Sequence, residues 1–294
     1  MEIDTLQALV AVAQQGSFSR AAEQLYVTQP AVSKRIAALE NELGTTLFDR
    51  IGHRIVLTEA GRALLPRARD ILAAVDDSRR LVANLAGRVS GTLSFGTSHH
   101  IGLHRLPPFL RKFSQRYPEV ELDIHFMDSE AACNAVEHGE LELGVVTLPL
   151  NPQETLHTVR VWHDPLAVMV GKDHPLARRR TVQPADLAPY TAILPATGTF
   201  TREVVERAFA PLNLQLKVGL STNYLETIKM MVSVGLGWSI LPRTMLDADV
   251  RALQLRGVRL QRELGAVRRR DRTLSNAARA LLELVSAQTD RDAS

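Results

Sequence analysis

The stretch from Ser17 to Arg54 constrains the fold of this chain more than any other part of the sequence. It predicts two short helices separated by a tight turn and followed by a hairpin. We expect Ser19 to cap the first helix, whose apolar side is formed by Ala21, Ala22 and Leu25. We expect Thr28 to cap the second helix, whose inward-facing residues recur at helical spacing: Val32, Ile36, Leu39 and Leu43.

The opposite face of the second helix carries small and polar side chains rather than the Glu and Lys of an ordinary solvated surface. Its residues are Gln29, Pro30, Ser33 and Lys34. Amide, hydroxyl and ammonium groups of this kind bond to base edges in the major groove of DNA. Arg35 lies closer to the buried flank, where it is expected to reach a phosphate. Because any small three-helix domain shows similar periodicity, the helices alone leave both interpretations open.

The hairpin decides between these interpretations. Leu47 and Phe48 are expected to enter the core as a strand, Gly52 to form the turn, and residues 55–57 to return as a second strand. Three basic residues gather near the tip, where a wing contacts the DNA backbone or minor groove: Arg50, His53 and Arg54. Two helices with a basic hairpin predict a winged helix-turn-helix over residues 1–58.

The segment AVAQQGSFSRAAEQLYVTQPAVSKRIAALENELGTTLFDR, followed by LTEAG, resembles the N-terminal signature of LysR-type transcriptional regulators. Leu9 stands where that family usually has Phe. The resemblance continues through YPEVELDI, through Gly139–Val146 and through VSVGLGWSILP, and so covers nearly the whole chain. Glu142 replaces the Asp that is usual in the family. The resemblance implies a bacterial transcription regulator that binds double-stranded promoter DNA and a small-molecule effector.

Residues 59–90 are expected to form a long linker helix and a hinge. Apolar residues alternate at spacings of four and three, a heptad seam interrupted at Ser78: Leu64, Ala68, Ile71, Val75, Val82 and Leu85. The resemblance implies that this seam pairs with its copy in a homodimer or homotetramer. The alternative is that the seam packs on the C-terminal domain of its own chain. Pro66 is expected to bend the helix.

Residues 91–294 alternate short apolar strands with helices, which predicts an α/β domain built on parallel strands. The resemblance implies two Rossmann-like subdomains similar to periplasmic binding proteins. We place the first at about residues 91–161 and 268–294 and the second at about 162–267. The two crossovers are expected near residues 160–164 and 265–268, and a last helix near 274–287 returns to the first subdomain.

Polar residues stand where strands are followed by helices, at the positions that line a cleft between two α/β halves. The candidate effector-binding residues are Ser98, His99, Thr147, Thr197, Thr199 and Asn223. Hydroxyls, amides and free helix N–H groups suit a small anion. For each residue taken alone, simple helix capping is an equally good explanation.

Several function classes are disfavoured by the sequence. No apolar run is long enough to span a bilayer, and the first residues include Glu2 and Asp4 rather than basic residues, so a cytoplasmic location is expected. The formal net charge of +3 supports nucleic-acid binding only weakly. Cys133 is the only cysteine and is expected to be a small buried residue.

No metal site, cofactor or enzymatic activity is predicted. His99, His100 and His104 lack a Cys or carboxylate at ligand spacing, and no GxSxG, Walker, GxGxxG, HExxH or CxxC motif is present. The main hypothesis is therefore a regulator that binds specific DNA sequences and whose oligomer geometry responds to an anionic effector. The alternative is a cytoplasmic solute-sensing protein that acts through a protein partner rather than through DNA.

Overall fold

The computed structural model describes residues 1–52, 54–212 and 216–287. The chain divides into two compact units. The first contains Met1–Gly87 with His138–Glu140, and the second contains Arg88–Glu137 and Leu141–Ser294. Within the described residues, no helix combines the length and the apolarity needed to cross a membrane.

The first unit has four helices and a two-stranded hairpin: α1 (Ile3–Gln15), α2 (Phe18–Gln24), α3 (Gln29–Leu43), β1 (Phe48–Ile51), β2 (Arg54–Leu57) and α4 (Glu59–Asn84). Glycines in the left-handed conformation end α1 and α3, at Gly16 and Gly44. The core lies between the four helices and is made of Leu6, Ala8, Leu9, Ala11, Val12, Ala21, Ala22, Val32, Ile36, Leu39, Leu47 and Ala68.

Three local predictions for this unit were wrong. Ser17, not Ser19, caps α2, and its hydroxyl accepts a hydrogen bond from the Arg20 N–H at 3.4 Å. Thr28 occupies the N-cap position of α3, but its side chain makes no capping bond to the described residues. Leu43 is 42% exposed because α3 ends there and the chain turns away from the core at Gly44.

The apolar seam of α4 divides into two parts with different roles. Leu64, Ala68 and Ile71 pack into the core of the first unit, because this half of α4 lies against α1 and β2. These three residues therefore do not form the exposed seam that the heptad pattern predicted. Val82 and Leu85, further along the helix, are 66% and 81% exposed. Pro66 lies inside α4 without ending it.

The second unit opens with three parallel strands, β3 (Gly91–Thr97), β4 (Val120–Phe126) and β5 (Leu143–Thr147), in the order β4-β3-β5. The helices between them are α5 (His99–His104), α6 (Pro107–Arg116) and α7 (Ser129–Glu137). The sequence predicted one helix where α5 and α6 lie, but Pro107 and Pro108 start a new helix after Leu106.

The rest of the second unit begins with the long strand β6 (Leu156–Gly171). The elements that follow are β7 (Thr181–Val182), α8 (Pro184–Leu187), β8 (Ala192–Leu194), α9 (Phe200–Phe209), β9 (Val218–Ser221), α10 (Leu225–Ser233), β10 (Trp238–Pro242), β11 (Val250–Leu255), β12 (Gln261–Arg269) and α11 (Asn276–Ser286). The sheet continues from β5 through β12, β6, β10 and β8 to β9. β7 and β11 were not predicted.

β6 and β12 are the two connections between the subdomains, and they pair antiparallel from Gln261–Pro165 to Arg269–Leu156. β12 also pairs with β5, so it belongs to the sheet of the first subdomain. The second crossover therefore lies before Gln261, earlier in the chain than residues 265–268 where the sequence placed it. Each subdomain has its own apolar core, with Trp162 in the first and Trp238 in the second.

The last helix returns to the first subdomain, where it packs beside α6. Ser275 caps α11, and its hydroxyl donates to the Glu142 carboxylate at 3.0 Å. The same carboxylate accepts a bond from the Ser275 N–H. Glu142 therefore performs the structural task expected of the Asp that it replaces.

Candidate functional site

The N-terminal half of α3 presents its polar face to solvent. Gln29, Pro30 and Lys34 are exposed and Ser33 is half-buried. The Gln29 amide donates a hydrogen bond to the Ser33 hydroxyl at 2.8 Å. Val32, Ile36 and Leu39 lie on the opposite side in the core and fix the orientation of the helix, so the polar side chains form a rigid surface of the size that enters a major groove.

Arg35 is engaged within the protein. Its guanidinium pairs with the Asp4 carboxylate at 2.6 Å, and its side chain is 26% exposed. The pair connects α3 to the first turn of α1. In this arrangement Arg35 holds α3 in place rather than extending from the surface, so its predicted phosphate contact requires the ion pair to open.

The hairpin β1–β2 carries Arg50 and Arg54, both exposed, on either side of the turn at Gly52. Gly52 has a φ of +61°, a conformation that favours glycine. The third predicted wing residue, His53, lies outside the described residues. Glu40 of α3 accepts a hydrogen bond from the Leu47 N–H at 2.7 Å, which fixes the hairpin relative to the helix.

A polar depression connects the start of α3 to the hairpin. It is lined by Gln29 and Arg50, which the sequence had selected, and by Ser19 and Arg20, which it had not. Ser19 and Arg20 are exposed at the start of α2. Because Ser17 caps α2, the Ser19 hydroxyl is available to a DNA backbone, as is the Arg20 guanidinium.

Tyr26, in the turn between α2 and α3, is a further surface residue that the sequence did not single out. Its side chain is 96% exposed, and its φ of +54° lies in the left-handed region, which is unusual for a bulky residue. An exposed phenol directly before α3 is placed to donate to a phosphate when α3 lies in a groove.

In the second unit, a cleft lies between the two subdomains. It is lined mainly by polar side chains: Ser98, His99, His100, Asp128, Ser129, Glu130, Thr147, Pro195, Thr199, Thr201, Asn223, Leu225 and Arg262. The cavity is about 40 Å³, enough for a few water molecules. A metabolite therefore needs the subdomains to separate or the side chains that join them to move.

Two hydrogen-bonded groups connect the subdomains across this cleft. Asn223 donates to the Asp128 carboxylate at 2.6 Å and accepts from the Ala196 N–H at 3.1 Å. Glu130 accepts a hydrogen bond from the Phe200 N–H, at the N-terminus of α9. A helix N-terminus attracts negative charge, so the Glu130 carboxylate occupies a natural anion site.

A buried ion network closes the floor of the cleft. Asp164, fully buried on β6, pairs with Arg262 at 2.8 Å and with Arg105 at 3.1 Å. Arg262 also donates to the Thr201 hydroxyl at 2.8 Å. The second terminal nitrogen of Arg262, Nη2, is buried and has no hydrogen-bond partner among the described residues.

His100 lies at the wall of the cleft. Its Nδ1 is 3.2 Å from the Glu226 carboxylate, while its buried Nε2 has no partner within the described part of the chain. Burial lowers the pKa of His100, although the hydrogen bond to Glu226 opposes this effect. Burial also raises the pKa of Glu130. The cleft thus contains an incompletely paired guanidinium, an imidazole and a carboxyl whose charge is disfavoured.

Comparison with known proteins is consistent with both surfaces. Residues 3–62 match the bacterial regulatory helix-turn-helix protein, LysR family, and residues 86–290 match the LysR substrate binding domain. The two matches together cover most of the chain. The chain belongs to the LysR family of transcriptional regulators. It is therefore a DNA-binding regulator with an effector-binding domain, and not an enzyme.

Relatives along the full length support this assignment. The LysR-type chain is 31% identical over 296 residues to the "Probable RuBisCO transcriptional regulator" of Synechocystis, covering 97% of this chain and 86% of the relative. Full-length OxyR from Pseudomonas aeruginosa superposes with a TM-score of 0.71 at 24% identity, covering 98% and 94%. The effector binding domain of QuiR in complex with shikimate gives 0.63 at 19% identity, covering 69% and 98%.

Five of the six effector residues predicted for this LysR-type regulator line the cleft: Ser98, His99, Thr147, Thr199 and Asn223. Thr197 is exposed and is absent from the lining, because its backbone precedes the turn that leads into α9. Ser98 and Thr199 also cap their helices, so both interpretations of these hydroxyls apply at once. Three charged residues of the lining were not predicted: Asp128, Glu130 and Arg262.

Proposed function

We propose that this LysR-type regulator recognises specific DNA sequences through α3, contacts the DNA backbone through its wing, and changes its oligomer geometry when a small anion binds in the cleft. Gln29, Pro30, Ser33 and Lys34 read the major groove. Arg50, His53 and Arg54 contact phosphates or the minor groove, with Arg20 and Tyr26 adding backbone contacts. Arg35 contributes when its ion pair with Asp4 opens.

The observation that carries the effector proposal is the Glu130 carboxylate bound at the N-terminus of α9. This carboxylate comes from the first subdomain and takes the position that the anionic group of an effector would occupy. Arg262 offers an unpaired N–H group into the same cleft. The shikimate complex of QuiR shows that a carboxylate ligand suits the effector domain of a related fold.

The charges in the cleft determine how an anion enters. Asp128 and Glu130 already place two carboxylates near Arg262, whose guanidinium lines the same cleft. An added anion would be repelled, so the effector displaces Glu130 from α9 instead of binding beside it. Because Glu130 and the Asn223–Asp128 bond connect the subdomains, their release changes the angle between the subdomains.

Oligomerisation transmits this change to DNA. Val82 and Leu85 leave an apolar surface on the second half of α4, and Leu81 beside them is 51% exposed. A second copy of the helix is the natural partner for such a seam. We therefore propose a homodimer or homotetramer, in which the effector domains set the spacing of two DNA-reading helices. Val75 extends the seam toward the core of the first unit.

The DNA assignment is tested by the salt dependence of binding. The affinity of the full chain for a duplex selected from a random library is measured by fluorescence anisotropy at several salt concentrations. The double variant Lys34→Ala/Arg54→Ala is expected to bind more weakly and to reduce the slope of log K against log salt by about 0.9 for each phosphate that it no longer neutralises. An unchanged affinity and slope would contradict the assignment. Arg111→Ala/Lys112→Ala, exposed on α6, is the charge-matched control.

The effector assignment is tested with shikimate, 3-phosphoglycerate and inorganic phosphate as defined anions, and with methyl shikimate as a neutral control. The melting temperature of the full chain is measured against ligand concentration. Glu130→Gln is expected to raise the affinity for any anion that binds by about tenfold, which is about 1.4 kcal/mol. A folding defect does not produce tighter binding, so this result identifies competition. Equal affinities in both proteins would contradict it.

A further inference from the structure

Three side chains with metal-binding atoms meet where α5 of the first subdomain faces α10 of the second. His100 and His104 are four residues apart on α5, so their imidazoles share one face, and their ring centroids lie 4.7 Å apart. Glu226 comes from the first turn of α10. One oxygen of its carboxylate lies 3.2 Å from His100 Nδ1 and 3.1 Å from His104 Nε2.

These distances are close to those of a coordination sphere. Two ligands bound tetrahedrally to Zn²⁺ at about 2.0–2.1 Å lie about 3.3–3.4 Å from each other. Both His–Glu distances are near this value, and all three donor atoms lie within 4.8 Å of one another. Rotation of the His104 ring, which is 40% exposed, brings the remaining pair closer.

The type of donor narrows the identity of the ion. Two imidazoles and one carboxylate suit zinc and other first-row transition ions, whereas Ca²⁺ and Mg²⁺ prefer oxygen ligands. Two histidines at this spacing on one helix face, completed by a distant carboxylate, are a recurring zinc-binding arrangement. Three protein ligands leave a fourth position for water or another ligand.

We propose that His100, His104 and Glu226 form a binding site for Zn²⁺ or a related transition-metal ion that joins the two subdomains. The ion replaces two hydrogen bonds with coordinate bonds between α5 and α10, and so stabilises the closed cleft. Coordination through His100 Nδ1 puts the remaining proton on Nε2, the nitrogen that faces the cleft. This proposal is independent of which anion binds in the cleft and of how DNA is read.

The test uses untagged, full-length protein treated with a chelator and then titrated with Zn²⁺ by calorimetry and with Co²⁺ by absorption spectroscopy. We expect one ion per chain and visible Co²⁺ bands typical of a tetrahedral site. His104→Ala and Glu226→Gln are each expected to weaken binding more than the roughly 10–100-fold caused by losing an outer hydrogen-bond partner of a ligand. His125→Ala is the matched control, because His125 pairs with Asp123 at 2.8 Å but belongs to no such cluster of described residues.

Folding is followed separately so that a structural defect is recognised. Zn²⁺ is expected to raise the urea midpoint of the wild-type chain and of His125→Ala, but not that of His104→Ala or Glu226→Gln. The proposal is overturned if the metal-free wild-type chain binds no Zn²⁺. It is equally overturned if both ligand variants bind Zn²⁺ as tightly as the wild type, or if His125→Ala loses binding to the same extent.

Discussion

Replacement of Arg262 by Met is expected to destabilise the second unit strongly, because it removes the best-buried partner of a buried carboxylate. Asp164 is 0% exposed and the Arg262 side chain is 3% exposed. Breaking a buried pair by deleting one partner costs about 3–5 kcal/mol, since the remaining charge stays buried. Met fills most of the space of the arginine stem, so the loss comes from the ion pair rather than from a cavity.

The same substitution at Arg105 is the matched comparison. Arg105 bonds to the other oxygen of Asp164, but its side chain is 21% exposed, so water replaces it more easily. We expect Arg105→Met to cost about 1 kcal/mol, in the range of a solvent-accessible pair. The two variants remove one guanidinium each from the same carboxylate and differ in burial.

The assay is urea unfolding followed by tryptophan fluorescence. The only two tryptophans, Trp162 and Trp238, are both buried in the second unit, so their emission reports on that unit alone. With a slope of ~2 kcal/mol per molar urea, Arg262→Met lowers the midpoint by ~1.5–2.5 M and Arg105→Met by ~0.5 M. Equal midpoints for the two variants, or a shift below ~0.5 M for Arg262→Met, would refute the importance of burial in this network.

Three further predictions concern other parts of the chain. Tyr26→Asn stabilises the first unit by about 1 kcal/mol, because Asn tolerates the left-handed conformation, yet it weakens DNA binding in a gel shift; tighter binding would exclude Tyr26 from the interface. Gly61→Ala places a Cβ 2.2 Å from the Leu47 carbonyl oxygen and destabilises the first unit by about 1–3 kcal/mol; far-UV circular dichroism detects this loss, while the tryptophan transition stays unchanged. Burial raises the pKa of Cys133 to about 12, so Ellman's reagent at pH 8 modifies it only after urea unfolds the chain; rapid labelling of the native protein would contradict its burial.

Local patterns in the sequence identified the elements that depend on local interactions. The spacing of Val32, Ile36 and Leu39 predicted the buried side of α3, and Gly52 predicted the turn of the wing. The cap of α2 was misassigned because Ser17 and Ser19 are chemically equivalent in the sequence, and only the path of the backbone decides between them. The seam of α4 was predicted as one continuous surface because periodicity does not reveal which partner covers each turn.

Long-range pairings were the parts that the sequence did not reveal. Glu226 lies 126 residues from His100, so no spacing rule suggested that the histidines have a carboxylate beside them. Asp164 and Arg262 are 98 residues apart and meet only because β6 and β12 run side by side. Arg262 stands in a strand with other charged residues, and nothing in that local pattern distinguishes it as the buried one.

The central claim is that an anionic effector takes the place of Glu130 at the N-terminus of α9. The most direct test is a crystal structure of the full chain with the anion that most raises its melting temperature. We expect the anionic group to accept hydrogen bonds from the Phe200 N–H and from Arg262, with the Glu130 carboxylate displaced and the Asn223–Asp128 bond altered. An anion bound elsewhere, with Glu130 still bonded to Phe200, would contradict the claim.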